Sequence, residues 1–247
     1  MNIIGIAGRK QAGKNTVANY INGEVLLARQ MIKSFYIDEH GKLIVETDDE
    51  SGATGFGELD VTRKDSAFIE YANQELWPYI KIYHFADYLK NMSINVFGFS
   101  PKQVYGNDSD KNTHVDILWE SMPWNLENKS GKMTSREFLQ HFGTNIVRKI
   151  CDNAWVNATM KLIQAESPKI AIIPDVRFPN EAEAIKNAGG KVIRLTRDIF
   201  HSDHESEKAL DKDCFDWNKF DIIIDNQNMT IDDLCETIKS YAFTRVI

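Results

Sequence analysis

The residues with the clearest chemical signature lie near the start of the chain, in the segment GRKQAGKNT at 8–16. Its spacing, GxxxxGK, is typical of a loop that binds phosphate groups. The glycines let backbone N–H groups approach phosphate oxygens, and a helix beginning near Lys14 points its positive end at the same anion. The Lys14 ammonium adds a mobile charge for the β- and γ-phosphates. This phosphate loop, defined as residues 8–16, predicts ATP binding through Gly8, Ala12, Gly13, Lys14, Asn15 and Thr16.

The residues directly after Lys14 depart from the strict motif. A hydroxyl is needed to hold Mg²⁺, and the strict motif places Ser or Thr immediately after the lysine. Here Asn15 follows Lys14, and Thr16 comes one position later. We assign the metal role to Thr16, and the question of which of the two residues lies nearer the ion stays open.

A second candidate site follows an apolar run, in the segment IIPDVR at 172–177. In phosphate-loop proteins an acid at the end of a strand orients Mg²⁺, so Asp175 is predicted as a second metal ligand. Asp175 could instead accept the proton of the acceptor or bind its hydroxyls. Arg177 suits bidentate binding of a phosphate. The simpler alternative is that Asp175 caps the next helix or pairs with Arg177.

The elements that must position these residues alternate between strand and helix. The predicted strands are 2–7, 81–85, 170–173, 191–196 and 221–224. The predicted helices are 14–30, 86–97, 135–150, 152–165, 180–188 and 230–241. We also expect a β-hairpin around His40-Gly41 and a mobile loop at 51–57.

This order favours a parallel sheet covered on both faces. We therefore predict an α/β protein with the three-layer P-loop NTPase fold, as a single domain over 1–247. Insertions are expected at 33–79 and 100–133, and a lid at 197–217. Both candidate sites fall at carboxyl ends of strands, where active sites of such sheets lie.

The composition excludes several classes of protein. The 247 residues carry a net charge of −7, which argues against stable binding to nucleic acid or to an anionic membrane. The three cysteines are widely spaced and form no disulfide framework, which favours a reducing compartment. No apolar run approaches membrane-spanning length, and the N-terminus has no signal-peptide pattern. We therefore expect a soluble cytoplasmic protein.

Several separate segments together resemble one family. They are the GKNT of the phosphate loop, HFADYLK at 84–90, REFLQHFGT at 136–144, DVRFPNE at 175–181, HESE at 204–207 and Asp225-Asn226. In this order they resemble the bacteriophage-type deoxynucleoside monophosphate kinases, members of the P-loop kinases that act on nucleoside monophosphates. Tyr88 replaces the proline usual in the second segment.

The resemblance implies transfer of the ATP γ-phosphate to a deoxynucleoside monophosphate (dNMP), with Mg²⁺, in the host cytoplasm if the protein is phage-encoded. For this reaction we predict four catalytic residues, Lys14, Asp175, Arg177 and Arg197, the last opening the lid. The predicted acceptor-binding residues are Asp87, Lys90, Arg136, Arg148, Arg177 and Glu181. The predicted metal ligands are Thr16 and Asp175.

Simpler explanations compete for several of these side chains. Asp87 could be only a charge at a helix start and Lys90 only a solvated side chain. Arg136 could pair with Glu137 or Glu120. Arg148 comes twelve residues after Arg136, which is about 3.3 turns of an α-helix, so the two arginines do not lie on the same face of the predicted helix. By strand alternation Arg194 points away from Arg197, so the lid role goes to Arg197.

Two further groups of residues suggest other sites. His201, Asp203, His204 and Glu205 could bind zinc, but a solvated lid explains this composition better. The tryptophans that could stack on a base are Trp119, Trp124 and Trp155, although large aromatic residues are more often part of the core.

Two other functions stay open. One is a different small-molecule kinase of the same fold, resembling dephospho-coenzyme A kinase. The other is a nucleotide-binding ATPase or switch. The sequence does not say which base is accepted, and it leaves open whether the protein forms a homodimer.

Overall fold

Residues 1–48, 52–126, 128–199 and 204–241 are described by the computed structural model. The strands are β1 (Asn2–Ala7), β2 (Ser34–Ile37), β3 (Leu43–Asp48), β4 (Thr54–Glu58), β5 (Ile80–Ile82), β6 (His114–Leu118), β7 (Lys132–Thr134), β8 (Ile170–Val176), β9 (Lys191–Leu195) and β10 (Ile222–Ile224). The α-helices are α1 (Lys14–Ala28), α2 (Ser66–Glu75), α3 (Asp87–Asn95), α4 (Pro101–Tyr105), α5 (Asp108–Lys111), α6 (Ser135–Gln140), α7 (Arg148–Ile150), α8 (Ala154–Glu166), α9 (Pro179–Asn187), α10 (Glu205–Lys208) and α11 (Ile231–Ser240).

The chain divides into two compact units. The first consists of Met1–His84 and Leu162–Ile247, and the second of Phe85–Lys161. The predicted insertion at 33–79 falls within the first unit, and the one at 100–133 within the second. The roles of these insertions and of the lid stay predictions. Among the described helices, none combines the length and apolar character needed to cross a membrane.

Five parallel strands form the central sheet of the first unit, in the order β10-β9-β1-β8-β5. β1 lies in the middle, with Asn2 paired to Ile170 of β8 and Ile4 paired to Lys191 of β9. β1 and the strands on either side of it are almost entirely buried, as expected where both faces of a parallel sheet are covered. Because all the strands run the same way, their carboxyl ends meet at one edge, where the phosphate loop begins.

Helices cover both faces of this sheet. Ile6 of β1 packs in one cluster with Val17 of α1 and Leu234 of α11. On the other face, a Cβ built on Gly5 would lie only 2.6 Å from the Cδ1 of Ile185 in α9. Neighbouring residues of a strand point to opposite faces, so α1 and α11 cover the face of Ile6 and α9 covers the face of Gly5. The predicted three-layer α/β fold is confirmed.

A smaller antiparallel sheet, in the order β2-β3-β4, accounts for part of the insertion at 33–79. Its first two strands form the hairpin predicted around His40-Gly41. Phe35 packs so closely on α1 that a Cβ at Gly23 would meet the ring at 2.4 Å. The prediction of a loop at 51–57 is wrong for the residues that belong to β4. This strand pairs with β3 from Asp48↔Thr54 to Ile44↔Glu58. Residue 51 lies outside the described residues.

In the second unit, the helix predicted over 135–150 is not a continuous α-helix. It consists of α6, a π-helical stretch at His141–Val147, and α7. Its start was predicted correctly, because Thr134 and Glu137 form a reciprocal capping box. π-Helical hydrogen bonds run from i to i+5, so the spacing of Arg136 and Arg148 around the helix differs from the α-helical expectation.

Trp119 and Trp155 belong to the core of the second unit, with exposed fractions of 7% and 8%. The Trp155 indole N–H donates to the Gly143 carbonyl at 3.1 Å. The Trp119 ring meets the His141 ring edge-on, with centroids 5.2 Å apart. Trp124 is 52% exposed. The core interpretation is therefore correct for two of the three tryptophans.

Candidate active site

The phosphate loop connects the end of β1 to the start of α1 in a turn that requires left-handed backbone. Gln11 has a φ of 64° and Gly13 a φ of 93°. Gly13 is the residue before α1 and lacks a Cβ that this conformation would strain. Within the loop, the Ala12 N–H donates to the Arg9 carbonyl at 3.2 Å. Such alternation of backbone conformation turns successive N–H groups into a concave anion site.

Asn226, just beyond β10, supports this loop from below. It is fully buried, and its Nδ2 donates to the Ala12 carbonyl at 2.8 Å. Its Oδ1 accepts the backbone N–H of Arg197 at 2.9 Å. This one side chain therefore connects the phosphate loop with the segments that follow β9 and β10.

Lys14 lies under the phosphate loop and is 9% exposed. Its Nζ donates to the carbonyl of Gly8 at 2.7 Å and to that of Arg9 at 2.6 Å. Burial, reinforced by the positive charge of Arg177, lowers the pKa of Lys14 from 10.5 to about 7. The negative charges of Glu207 and Asp175 act in the opposite direction. The predicted catalytic lysine is thus held among the other charges of this edge.

Asp175 and Arg177 lie at the end of β8, next to the phosphate loop. The strand is longer than predicted and includes Asp175, with Val176 paired to Ala7 of β1. Asp175 and Arg177 both act on the charge of Lys14, so the structure brings these three predicted residues together.

Glu181 has a local structural role in α9. It is 3% exposed, and its Oε2 accepts the backbone N–H of Arg177 at 2.7 Å and that of Phe178 at 3.1 Å. The carboxylate closes the first turn of α9 and fixes the backbone that carries Arg177. Its predicted role in binding the acceptor stays a prediction.

Thr16 and Asn15 occupy different surroundings at the start of α1. Asn15 is exposed. Thr16 lies under the turn of the β2–β3 hairpin: a Cβ at Gly41 would come 2.4 Å from its Oγ1. Asn19, one turn later, donates to the Gly41 carbonyl at 2.8 Å. The hairpin tip therefore covers the hydroxyl that was predicted to bind Mg²⁺.

The Asp175 carboxylate at this edge of the sheet fits a magnesium ion. Mg²⁺ takes oxygen ligands and is held in kinases by one or two carboxylates together with phosphate oxygens. Asp175 provides a carboxylate, whereas the Thr16 hydroxyl faces the hairpin tip, so its role as a metal ligand stays a prediction. Within the described part of the chain, no group of three or more His, Cys, Asp or Glu side chains forms a separate metal site.

The zinc alternative draws little support from the residues that are described. His201 and Asp203 lie outside them. The Nδ1 of His204 accepts the backbone N–H of Ser206 at 3.2 Å and so caps α10.

Arg197 is bound to carbonyl groups of the loop after β10. Its Nε donates to the Asn226 carbonyl at 3.0 Å, and its Nη2 to the Met229 carbonyl. These contacts give Arg197 a structural role, and its predicted catalytic role stays a prediction. Arg194, which sequence reasoning set aside, is 5% exposed, and its charge contributes to lowering the pKa of Lys14.

The segment after β9 supplies acids to these basic groups. Asp211 accepts the Nε of Arg9 at 3.3 Å and an Nη2 of Arg194 at 3.4 Å. Asp198 pairs with Arg9 at 3.0 Å. Glu207 pairs with Arg177.

The four predicted acceptor-binding residues of the second unit have well-defined neighbours. The Lys90 ammonium lies 4.8 Å from the centre of the Tyr105 ring. Burial and the charge of Asp87 raise the pKa of Tyr105. Arg136 pairs with Asp108 at 2.6 Å rather than with the glutamates considered from sequence. Arg148 is 8% exposed and pairs with Asp152 at 3.1 Å.

Comparison with known proteins places this arrangement in a family. A family model described as deoxynucleotide monophosphate kinase matches residues 2–238. The chain belongs to the deoxynucleotide monophosphate kinase family. A protein of Acanthamoeba polyphaga mimivirus, provisionally named a deoxynucleotide monophosphate kinase, is 30% identical over 170 residues. The match covers 63% of this chain and 79% of the mimivirus protein.

Membership of the deoxynucleotide monophosphate kinase family confirms the resemblance inferred from the short motifs, and with it the predicted function class. The protein is a phosphotransferase that uses a nucleotide substrate. Sequence reasoning assigned no role to Asn226, Glu207, Asp211 or Arg9. The first two lie in motifs that carried the resemblance, and this was the available signal.

Proposed function

We propose that this member of the deoxynucleotide monophosphate kinase family transfers the γ-phosphate of ATP to a dNMP, which yields the diphosphate. The observation that carries the proposal is the meeting of Lys14, Asp175 and Arg177 at the carboxyl edge of the sheet, beside the phosphate loop. The family match over residues 2–238 supports the same reaction.

Phosphoryl transfer requires from the protein mainly positive charges placed close to the transferred group. Phosphoryl transfer spreads negative charge over the oxygens of the moving group, so catalysis is largely positioning and electrostatic stabilisation. In our proposal Lys14 and Arg177 neutralise this charge, and Glu181 holds the backbone of Arg177. Bound Mg²⁺, held by Thr16 and Asp175, would supply further positive charge to the phosphates.

The side chains we assign to the acceptor belong to the second unit. Asp87 and Lys90 lie in the first turn of α3, which follows β5 in the chain. Arg136 and Arg148 flank the π-helical stretch. Arginine recognises phosphate through two parallel hydrogen bonds, and a carboxylate suits the hydroxyl of a sugar. These four residues are therefore proposed to bind the phosphate and sugar of the dNMP.

A panel of acceptors tests the proposal. The purified protein is incubated with ATP labelled at the γ-phosphate, Mg²⁺ and each dNMP or NMP in turn, and the products are separated by chromatography. We expect transfer of the label to at least one dNMP, which gives a labelled diphosphate. We expect no transfer of the label to dephospho-coenzyme A. Transfer only to dephospho-coenzyme A would support the other small-molecule kinase. ATP hydrolysis that is independent of any acceptor would support a nucleotide-driven switch.

Three further expectations stay predictions. They are a cytoplasmic location, the absence of stable nucleic-acid binding and a homodimer.

A further inference from the structure

The carboxylate of Glu207 lies at the phosphate loop. Its Oε2 accepts the backbone N–H of Lys10 at 2.8 Å, and its Oε1 accepts from the guanidinium of Arg177. The side chain is 8% exposed, although it comes from the four-residue helix α10, 197 positions from Lys10 in sequence. A negative charge from the segment after β9 is therefore buried against the loop.

The partners of this carboxylate are the groups that a triphosphate would use. Backbone N–H groups of a phosphate loop are donors to phosphate oxygens, and Lys10 belongs to that loop. Arg177 is the proposed ligand of the transferred phosphate. Glu207 also acts electrostatically on Lys14. One carboxylate thus engages a loop amide and an arginine, and its charge also acts on the lysine.

We propose that the Glu207 carboxylate is an internal anion that competes with the triphosphate of ATP for the phosphate loop. This inference rests on the proposed function, because it describes how the same site admits its nucleotide. A phosphate oxygen that binds the Lys10 N–H must take the place of the Glu207 Oε2. The same event releases Arg177 for contact with phosphate.

Other contacts of the same segment point in the same direction. Asp211 and Asp198 pair with Arg9, a second residue of the phosphate loop. Asp211 also pairs with Arg194. The acids after β9 therefore neutralise the basic groups around the loop in several places, and Glu207 also engages a loop amide directly.

The consequence is a lower apparent affinity for nucleotide. When the binding-competent arrangement is only a fraction of the population, the apparent dissociation constant rises by the inverse of that fraction. A charge-assisted contact that favours the Glu207-bound arrangement about 10 to 1 makes binding about tenfold weaker. Removing the negative charge from Glu207 should restore this affinity.

The test compares E207Q with E205Q. Both variants neutralise one glutamate of α10, but Glu205 is exposed and makes none of the contacts described for Glu207. Dissociation constants for MgATP and for inorganic tripolyphosphate are measured by calorimetry. We expect E207Q to bind both about tenfold more tightly than wild type, and E205Q to match wild type. Unchanged or weaker binding by E207Q would overturn the inference.

The outcomes separate this inference from the proposed function. A wild-type protein that does not bind MgATP contradicts both. A wild-type protein that binds MgATP, with no gain in E207Q, contradicts the internal anion alone. Thermal unfolding checks that each variant is folded. If E207Q does not fold, E207D is measured instead: its shorter side chain cannot span both partners, and tighter binding is again the supporting result.

Discussion

Asn226 donates its side-chain amide to the carbonyl of Ala12 at 2.8 Å, so a residue 214 positions away in sequence holds the phosphate loop. The same side chain accepts the backbone N–H of Arg197. Because Asn226 is fully buried, neither partner gains a ready replacement from water if the side chain is truncated. The Asn226 amide therefore helps to fix the geometry of the phosphate loop.

N226A should lose both stability and nucleotide affinity. Leaving a buried carbonyl and a buried N–H without partners costs about 2–3 kcal/mol of unfolding free energy. Nucleotide binding should weaken because the loop is no longer held in one conformation. Denaturant unfolding and calorimetric binding of MgATP measure the two effects. N187A, which truncates an exposed asparagine at the end of α9, is the control. Wild-type affinity in N226A would show that the loop does not need this support.

The parts of the structure that were predicted correctly depend on neighbouring residues. The glycines of the phosphate loop and the apolar run before it mark β1 and the start of α1. Thr230 and Asp233 form a capping box at the predicted start of α11, with the Asp233 backbone N 3.1 Å from the Thr230 Oγ1. Each of these signals lies within a few positions of the structure it specifies.

The parts that were missed depend on residues far apart in the chain. β4 forms from the glycine-containing segment TGFGE because β3 offers it a partner, a tertiary effect that overrides weak strand propensity. The contact of Glu207 with Lys10 joins residues 197 positions apart. No spacing rule reveals such a contact. The π-helical stretch at His141–Val147 was likewise not expected from an α-helical pattern.

Binding of nucleotide should take up a proton through Lys14. Its pKa is lowered to about 7 by burial and by Arg177, so at pH 8 most Lys14 side chains are neutral. A bound phosphate favours the charged form and raises this pKa. Calorimetry at pH 8 in buffers of different ionisation enthalpy should therefore show proton uptake, and the dissociation constant should increase between pH 7 and 9. K14M should lose this uptake. An equal uptake in K14M would contradict the assignment.

The same shift has a defined effect on stability. Above pH 7 the folded chain releases the Lys14 proton, whereas the unfolded chain retains it up to the ordinary value of 10.5. The unfolded state then holds more protons, so the contribution of Lys14 to the unfolding free energy increases with pH over this interval. Below pH 7 Lys14 is protonated in both the folded and the unfolded chain, and the folded state then carries the full cost of burying its charge. The difference in unfolding free energy between wild type and K14M, measured across this range, reports the sign.

Arg177 and Arg197 should respond differently to truncation. R197A removes donors to the Asn226 and Met229 carbonyls and should lower the unfolding free energy by about 2 kcal/mol, with turnover changed only a few-fold. R177A should lower kcat about 100-fold or more, since it removes charge from the transferred phosphoryl group. Steady-state kinetics below the melting temperature of both variants measures the difference. A large loss of kcat in R197A at wild-type stability would instead support its catalytic role.

Gly41 should be sensitive to an added methyl group because of Thr16. G41A places a Cβ in a left-handed backbone, with φ 78°, at 2.4 Å from the Thr16 Oγ1. The matched control is G189A, which has the same φ of 78° and no neighbouring atom within 4 Å. Placing a Cβ on left-handed backbone should lower the unfolding free energy of both variants by about 1–2 kcal/mol. The contact with Thr16 should lower it by a further 1–3 kcal/mol, roughly, in G41A. We also expect G41A to require more Mg²⁺ for turnover. Equal stability of the two variants would show that the hairpin tip moves away freely.

The most direct test of the phosphate loop is the rate at which K14A transfers labelled phosphate from ATP to the preferred dNMP. Removing the ammonium should lower turnover about 100- to 1000-fold, while thermal unfolding shows an intact fold. K149A, which removes an exposed lysine, should keep wild-type turnover. A folded K14A protein with turnover near wild type would contradict the account, because phosphoryl transfer would then not depend on this loop.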